Sequence, residues 1–365
     1  MKRFFFCIFL AGCVAANAAV RSHVGCESGP ITGDIQQRMR TDLVNPGWIR
    51  FYLRWNDVQP DPNTWKWVDA DGIVNLHYSK GRKLMATVFP YPQWAAALTQ
   101  DQWLAARDRF VRAVVARYGD KLAALECCNE PYVMRPDTQA WGYIPGITSN
   151  VTATLIPTLV RIYKSDKRAV QGTHIKLAGP SCADADWHEF GAKLFDNGAR
   201  GLLDICTYHD YHGRFFHPYQ SDAMGLNAQQ RAAAWKNAAG GIPLFVNELG
   251  LYGRSASSAA HPNTGNPSYI SGFSERDAIR DATLWAVMLR AGGADVIIPH
   301  VLINGCDNPS DNIEIGGWEF KEAGMKTDPG MKSKTAAFLN TMDFLQGLTM
   351  DQIQQLATLA RRLTP

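Results

Sequence analysis

Short apolar runs alternate with longer amphipathic stretches along almost the whole 365-residue chain. The runs lack the polar alternation of half-exposed strands, so we expect strands buried on both faces, as in a parallel sheet covered by helices. No internal repeat or low-complexity tract interrupts this order. The predicted strands are residues 22–26, 48–53, 83–89, 122–128, 175–179, 203–208, 244–247 and 296–300.

The segments between these runs carry helix signals. Thr99 and Gln102 have the spacing of a capping box, and apolar residues recur behind them at helical intervals until Gly119. The same pattern predicts a helix over 274–290. A last amphipathic helix is predicted over 349–362, outside the alternating scheme.

Loop lengths distinguish the two ends of the predicted sheet. Connections before the strands are short and carry glycines suited to helix C-termini, namely Gly81, Gly119, Gly172, Gly198, Gly241 and Gly292. Connections after the strands are long: 132–150, 213–227, 251–273 and 302–334. This asymmetry predicts a single-domain α/β fold, a (β/α)8 TIM barrel with an extra C-terminal helix. A doubly wound open sheet is the alternative, but the sequence lacks a Gly-rich phosphate turn after its first strand.

Charge and cysteine content limit the classes of binding partner that the chain is expected to have. The net charge is only +3, with acids and bases interspersed, which argues against nucleic acid and membrane surfaces. A monomer is expected. No cysteine spacing matches a zinc site. The first and eighth strands of a barrel are neighbours, so a Cys26–Cys306 disulfide is possible, whereas buried free thiols are expected for most other cysteines.

The N-terminus has the features of a secretory signal peptide. Lys2 and Arg3 precede an apolar stretch, and small residues surround a cleavage point near Ala19. We therefore expect residues 1–19 to be removed and residues 20–365 to form one mature domain, secreted or periplasmic. The stretch is too short to span a bilayer. The segment ending at Cys13 also resembles a lipobox, so a lipid anchor at Cys13 of an outer-membrane or cell-surface lipoprotein is the alternative.

Two glutamates follow predicted strands far apart in sequence. Glu130 follows the fourth strand and Glu248 closes the seventh. In a parallel barrel the carboxyl ends of the strands share one face, so these side chains can meet across a bound sugar. Glycosidic bond cleavage needs one carboxyl group to donate a proton and another to attack or to activate water. Glu126 lies deeper on the same side, and we interpret it as a structural acid paired with Arg50 or Arg54.

Other segments at predicted strand ends extend this pattern through nearly all of the mature chain. They are Trp48 to Pro60 with Trp65-Lys-Trp67, Pro90-Tyr-Pro-Gln-Trp94, Glu126-Cys-Cys-Asn129-Glu130-Pro131, His209-Asp-Tyr211 and Asn247-Glu248-Leu-Gly250. In this order they resemble the clan A glycoside hydrolases, the retaining β-glycosidases on the TIM barrel, and families 5 and 39 in particular. Each tripeptide is weak evidence by itself, whereas their order is specific.

The resemblance implies roles for individual residues and a reaction without a cofactor. Glu130 would be the general acid/base and must start protonated, while Glu248 would be the ionised nucleophile. His209-Asp-Tyr-His212 superficially suggests a metal site, but no recognisable ligand set accompanies it and no metal is expected. The resemblance implies that Asn129 hydrogen-bonds the sugar 2-hydroxyl, that Arg50 orients Glu248, and that Tyr211 donates a hydrogen bond to the nucleophile. It also implies that His209 lines the cleft and that Trp94 and Trp318 are platforms for sugar rings.

These expectations define a carbohydrate-active enzyme. We expect a retaining β-glycoside hydrolase that cleaves β-linked plant or microbial polysaccharide or oligosaccharide by double displacement. A barrel that binds polysaccharide without cutting it, and a transglycosylase on the same barrel, are the alternatives, because a fold does not fix a function.

Overall fold

Eight parallel strands form a closed barrel in which each strand pairs with its neighbours in sequence order and β8 pairs with β1. This computed structural model describes residues 20–28, 41–42, 44–131, 144–145, 147, 151–182, 188–213, 217–222, 224–251, 275–299 and 333–363. The predicted TIM barrel is confirmed. The expected signal peptide, Cys13, Trp318 and Cys306 lie outside the described residues.

All eight predicted strands are present. They are β1 (Arg21–Ser28), β2 (Pro46–Leu53), β3 (Lys83–Val88), β4 (Leu122–Glu126), β5 (Lys176–Cys182), β6 (Ile205–Gly213), β7 (Leu244–Leu251) and β8 (Ala294–Pro299). The sixth and seventh strands run several residues further than expected. The fourth ends at Glu126, because the chain turns beyond it and Glu130 adopts a left-handed backbone conformation with φ 39°.

The helices cover the outside of the barrel. The labelled helices are α1 (Val68–Tyr78), α2 (Gln100–Tyr118), α3 (Ile156–Ala169), α4 (His188–Leu194), α5 (Ala228–Ala238), α6 (Glu275–Ala291), α7 (Ser333–Gln346) and α8 (Met350–Leu363). Short helices Trp55–Val58 and Gln93–Ala96 follow β2 and β3, and π-helical turns Val151–Leu155 and Phe195–Ala199 flank α3 and α4.

Helix ends and packing follow the sequence signals. The capping box of α2 is complete, since Thr99 accepts from the Gln102 N–H and the Gln102 side chain accepts from the Thr99 N–H. Helix α7 packs against α6 and β1, and the extra helix α8 packs against α6. The C-terminal helix expected from the sequence is therefore present as α8. Among the described helices, none combines the length and the apolar character that a bilayer crossing requires.

The barrel interior changes from apolar to polar along the strands. Its apolar layer contains Trp48, Met85, Ala124, Ala178, Ile205, Phe245, Val296 and Ile298. Side chains two residues further along a strand point to the same side. In five strands these next inward residues are polar and buried: Arg50, Thr87, Glu126, Thr207 and Asn247. The interior thus has a packed apolar layer nearer the amino ends of the strands and a hydrogen-bonding layer at their carboxyl ends, where TIM barrels carry their active sites.

The described cysteines are thiols. Cys26, Cys127, Cys128 and Cys206 are buried and form no disulfide, and Cys182 is buried as well. The Cys26–Cys306 disulfide that strand adjacency allowed is therefore not formed at Cys26. Burial raises the pKa of the Cys26 thiol well above its ordinary value, so this thiol stays protonated.

Candidate active site

Arg50 of β2 is the centre of the polar layer. Its side chain is fully buried and contacts residues from three other strands or their ends. Nε donates to Glu126 Oε2 at 2.9 Å, Nη2 to Asn129 Oδ1 at 2.6 Å, and Nη1 to Glu248 Oε1 at 2.7 Å and Glu27 Oε1 at 3.0 Å. Burial by itself would lower the pKa of Arg50, but the surrounding carboxylates, Glu126 foremost, hold it well above its usual range. The guanidinium is therefore a permanent positive charge.

The two arginines considered for this position differ clearly. Arg50 is the residue that pairs with Glu126, as one of the two sequence interpretations predicted. Arg54 instead pairs with Asp57 three residues away, and both side chains are partly exposed. Arg54 therefore takes no part in the polar layer.

Glu126 is a fully buried acid with four donors. Arg50 and Thr87 donate to Oε2, with the Thr87 hydroxyl at 2.7 Å. Ser181 and Asn247 donate to Oε1 at 2.9 and 2.6 Å. Each oxygen of this carboxyl group thus accepts from two side chains. The interpretation of Glu126 as a buried structural acid is confirmed.

Glu248 of β7 is held through both of its oxygens. Oε1 accepts from Arg50 and from the Tyr52 hydroxyl at 3.2 Å, while Oε2 accepts from the Tyr211 hydroxyl. Burial, together with the charge of Glu248, raises the pKa of Tyr52 and of Tyr211 well above their ordinary value. Both hydroxyls consequently remain protonated donors, which favour the ionised form of Glu248.

Glu130 lies in the turn that follows β4. Its backbone N–H donates to the carbonyl of Ser181 at 3.0 Å, which fixes the turn against β5. Its carboxyl oxygen Oε1 is 2.7 Å from Nδ1 of His209, a buried residue of β6. The Glu130 side chain retains 21% of its exposure, against 4% for Glu248. Glu130 is thus the carboxyl group of this pair that solvent reaches.

The two carboxyl groups predicted to meet do meet at one face of the barrel. One oxygen of Glu130, one oxygen of Glu248 and a ring nitrogen of His209 all lie within 4.8 Å of one another. Carboxyl groups about 5–5.5 Å apart are typical of retaining glycosidases, and about 6.5–9.5 Å of inverting ones. The two carboxyl groups therefore open onto the same small volume at the carboxyl end of the barrel.

The same three side chains are of types that can bind a metal ion. However, the Glu248 oxygens already accept hydrogen bonds from Arg50, Tyr52 and Tyr211. A metal ion at this position would have to displace these donors and lie close to the buried guanidinium. The donor set suits a carboxyl pair better than a cation.

The predicted aromatic platforms are only partly described. Trp94 follows β3, is half-buried, and donates from Nε1 to the carbonyl of Gln59 at 3.0 Å. Its ring packs edge-on against Trp55 with centroids 5.9 Å apart. Trp94 is therefore a fixed ring with an accessible part. Trp318, the second predicted platform, lies outside the described residues.

Several polar residues of the site were not identified from the sequence. Glu27 lies near the end of β1 and contacts Arg50, Tyr52 contacts Glu248, and Ser181 contacts Glu126. Glu27 carried a usable signal, because it follows an apolar run in the same way as Glu248. Tyr52 also carried one, since it lies two residues beyond Arg50 and shares its side of the strand. Ser181 carried none, because Pro180-Ser181 is typical of a loop.

Comparison with known proteins identifies the fold. No family model and no curated protein matches the sequence. GH5_18 from Streptomyces cattleya, solved with GlcNAc, aligns with 91% of this chain and 82% of its own at 13% identity and TM-score 0.62. A family 39 glycoside hydrolase from Bacteroides cellulosilyticus aligns with 90% and 64%, at 15% identity and TM-score 0.62. Xylanase 10B from Thermotoga maritima aligns with 92% and 97%, at 10% identity and TM-score 0.60.

These proteins share the closed (β/α)8 barrel described above. The chain therefore has the fold of the clan A glycoside hydrolases, as the motif order predicted. At such low identity the likeness concerns the fold, and the chemistry has to be argued from the residues of the site.

Proposed function

We propose that the protein is a retaining β-glycoside hydrolase in which Glu130 is the general acid/base and Glu248 the nucleophile. The observation that carries the proposal is the short separation, within 4.8 Å, between a carboxyl oxygen of Glu130 and one of Glu248. Such a short approach supports direct attack by a carboxylate, since inverting enzymes hold their carboxyl groups further apart to admit a water molecule.

The reaction follows in two steps. In the first, Glu248 attacks the anomeric carbon while Glu130 gives its proton to the glycosidic oxygen; the bond from carbon to that oxygen breaks, and the alcohol leaves. In the second, Glu130 takes a proton from water, whose oxygen displaces the Glu248 carboxylate from the same carbon. The sugar is released with its original anomeric configuration, and Glu130 has regained its proton.

The surroundings of the two carboxyl groups support this assignment. Glu248 receives hydrogen bonds from a permanent cation and two tyrosine hydroxyls, so its anionic form is stabilised and its oxygens are held in position. Glu130 is more exposed and faces only an imidazole at hydrogen-bond distance among the described residues. An accessible carboxyl group such as that of Glu130 can exchange protons with a leaving group and with water.

Neighbouring residues would bind the sugar. The Asn129 amide oxygen accepts from Arg50, which leaves its amide hydrogens to donate to a sugar hydroxyl such as the 2-hydroxyl. The partly accessible Trp94 ring, and Trp318, would offer flat apolar faces to a pyranose. We propose a β-linked polysaccharide or oligosaccharide as the substrate; a xylanase with this fold makes xylan a first candidate. We also propose export of the chain, tested by N-terminal sequencing of the protein recovered outside the cell.

Leaving-group dependence tests the two roles separately. Phenyl β-glycosides need a proton on the departing oxygen, whereas dinitrophenyl β-glycosides do not. Glu248→Gln should remove activity on both substrates. Glu130→Gln should lower kcat/KM for phenyl glycosides about 10²- to 10⁴-fold and leave a rapid burst of dinitrophenol followed by slow turnover. Glu189→Gln, a change at an exposed glutamate of α4, is the matched control and should behave as wild type.

The products decide between the remaining alternatives. Proton NMR of the first-formed sugar should show the β-anomer, and first formation of the α-anomer contradicts the retaining mechanism. Saturable binding of β-glucan or xylan without release of any sugar would instead indicate a non-catalytic barrel. Transfer to an added sugar acceptor that outpaces hydrolysis at low acceptor concentration would indicate a transglycosylase.

A further inference from the structure

Ser181 connects the deeply buried Glu126 to the imidazole that faces Glu130. It lies on β5, is fully buried, and has a left-handed backbone with φ 57°. Its Oγ is 2.9 Å from Glu126 Oε1 and 3.0 Å from His209 Nε2, and the Asn247 amide donates to it at 3.0 Å. With the 2.7 Å contact from His209 Nδ1 to Glu130, an unbroken hydrogen-bonded chain joins the two glutamates.

The direction of each hydrogen bond follows from counting donors. Ionised Glu126 can only accept, and Arg50, Thr87 and Asn247 already donate to it. A serine hydroxyl has one hydrogen, and the contact to the carboxylate requires it. The oxygen of Ser181 must therefore accept from its remaining partner. That partner is Nε2 of His209, which consequently carries a hydrogen.

This assignment determines what His209 presents to Glu130. A neutral imidazole has one N–H, so a hydrogen on Nε2 leaves a lone pair on Nδ1. Nδ1 and Glu130 Oε1 are 2.7 Å apart, and two acceptors do not approach this closely without a hydrogen between them. The pair therefore holds one proton, on Glu130 or on Nδ1.

The other groups that face the imidazole are compatible with this proton. Glu248 Oε2 lies 3.3 Å from Nδ1, and its negative charge favours a proton at this nitrogen. The Tyr211 ring approaches edge-on, with centroids 6.1 Å apart. The described partners of His209 are thus two carboxyl groups at Nδ1 and the Ser181 hydroxyl at Nε2.

We propose that Ser181 is a positioning residue that holds His209 in its Nε2–H tautomer, so that Nδ1 and Glu130 together store the proton used on the glycosidic oxygen. In the first step this proton goes to the leaving oxygen, and Glu130 becomes a carboxylate beside the lone pair of His209 Nδ1. Repulsion between this carboxylate and the lone pair makes Glu130 a better base for the water molecule of the second step. That water molecule returns a proton to Glu130 and Nδ1. The role of this proton in catalysis rests on the proposed function, whereas the tautomer of His209 does not.

Nitrogen-15 NMR of the histidine side chains tests the tautomer directly. In the wild-type protein, the nitrogen shifts should show the hydrogen of neutral His209 on Nε2. His209→Asn identifies the resonances. Ser181→Gly removes the hydroxyl and suits the left-handed backbone; Ser181→Ala is the second variant. Thr87→Val is the matched control, because it removes a buried hydroxyl from the other oxygen of Glu126, away from His209.

The Ser181 variants should show a population with the hydrogen on Nδ1. In that form His209 donates to an ionised Glu130, and the general acid is lost at neutral pH. We expect kcat/KM for phenyl glycosides at pH 7 to fall roughly tenfold or more and the alkaline limb of the pH profile to move to lower pH. The dinitrophenol burst should keep its wild-type rate. Thr87→Val should leave both the nitrogen shifts and the alkaline limb in place.

Two results would overturn the inference. One is a wild-type His209 whose neutral form carries its hydrogen on Nδ1. The other is a nitrogen pattern that the Ser181 variants leave unchanged, or that Thr87→Val changes equally. If no glycoside is hydrolysed, the spectra still decide the tautomer while the proposed function fails. If Glu130→Gln behaves as an acid/base variant and the spectra do not respond to Ser181, only the inference fails.

Discussion

Replacing Arg50 by methionine should be among the most damaging single changes in this protein. The guanidinium is fully buried and pairs with Glu27, Glu126 and Glu248, whose side chains are between 0 and 6% exposed. Methionine fills most of the volume but leaves three acids without their cation. Stranding one buried charge costs about 3–5 kcal/mol. Since domains are stable by about 5–15 kcal/mol, we expect Arg50→Met to lose about a fifth of this stability or more.

Urea unfolding, followed by tryptophan fluorescence, measures this loss. Arg54→Met is the control on the same segment, because Arg54 and Asp57 form a partly exposed pair worth below about 1 kcal/mol. The deficit of Arg50→Met should be smaller at pH 5 than at pH 8, since protons neutralise the stranded carboxyl groups. A loss no larger than that of Arg54→Met, or a deficit that grows as the pH falls, would refute the reasoning.

Three further changes test packing and electrostatics away from the site. Gly191→Ala should cost about 1–3 kcal/mol in urea unfolding, because its Cβ would lie 2.5 Å from the buried ring of Trp235. Gly72→Ala, in the middle of α1 with no atom within 4 Å of the added carbon, should instead raise the free energy of unfolding by about 0.5–1 kcal/mol. The Arg117 hydrogen bond lowers the pKa of Asp71, so its contribution, below about 1 kcal/mol, is present at neutral pH and lost on acidification. In unfolding measured from pH 7 to 2, Asp71→Asn should be less stable than wild type above about pH 4, with the gap closing below it.

The sequence predicted the architecture because two independent signals agreed. Buried parallel strands are continuous apolar runs, and eight of them were recognisable by this property alone. The glycines and the capping box then placed the helices between them. Strand ends were less predictable: β4 ends before Cys127, because the chain turns towards Glu130 beyond it.

The functional face was predictable only where a residue stood at the end of a run. Glu130 and Glu248 met this condition, and so did Glu27, which was overlooked. Ser181 could not be found in this way, because its role depends on β5 and β6 lying side by side and on a backbone conformation that the sequence does not reveal. Local sequence patterns therefore do not predict those parts of a site that depend on contacts between side chains of different strands.

Three glutamates of the site, Glu126, Glu248 and Glu130, differ in their hydrogen-bond donors and in their exposure, and these differences distinguish their proposed roles. Glu126 has four donors and no exposure, so a proton there would break an arrangement built for the anion. Among the described residues, three side chains donate to Glu248, which has little exposure; they hold the proposed nucleophile in place without burying it beyond reach. Glu130 has the most exposure of the three, and its Oε1 lies 2.7 Å from Nδ1 of His209, a group that can hold a proton. From Glu126 to Glu248 to Glu130 the exposure rises and the donors from the described residues become fewer, and this gradient orders the acids from structural, to nucleophilic, to proton-transferring in the proposed reaction.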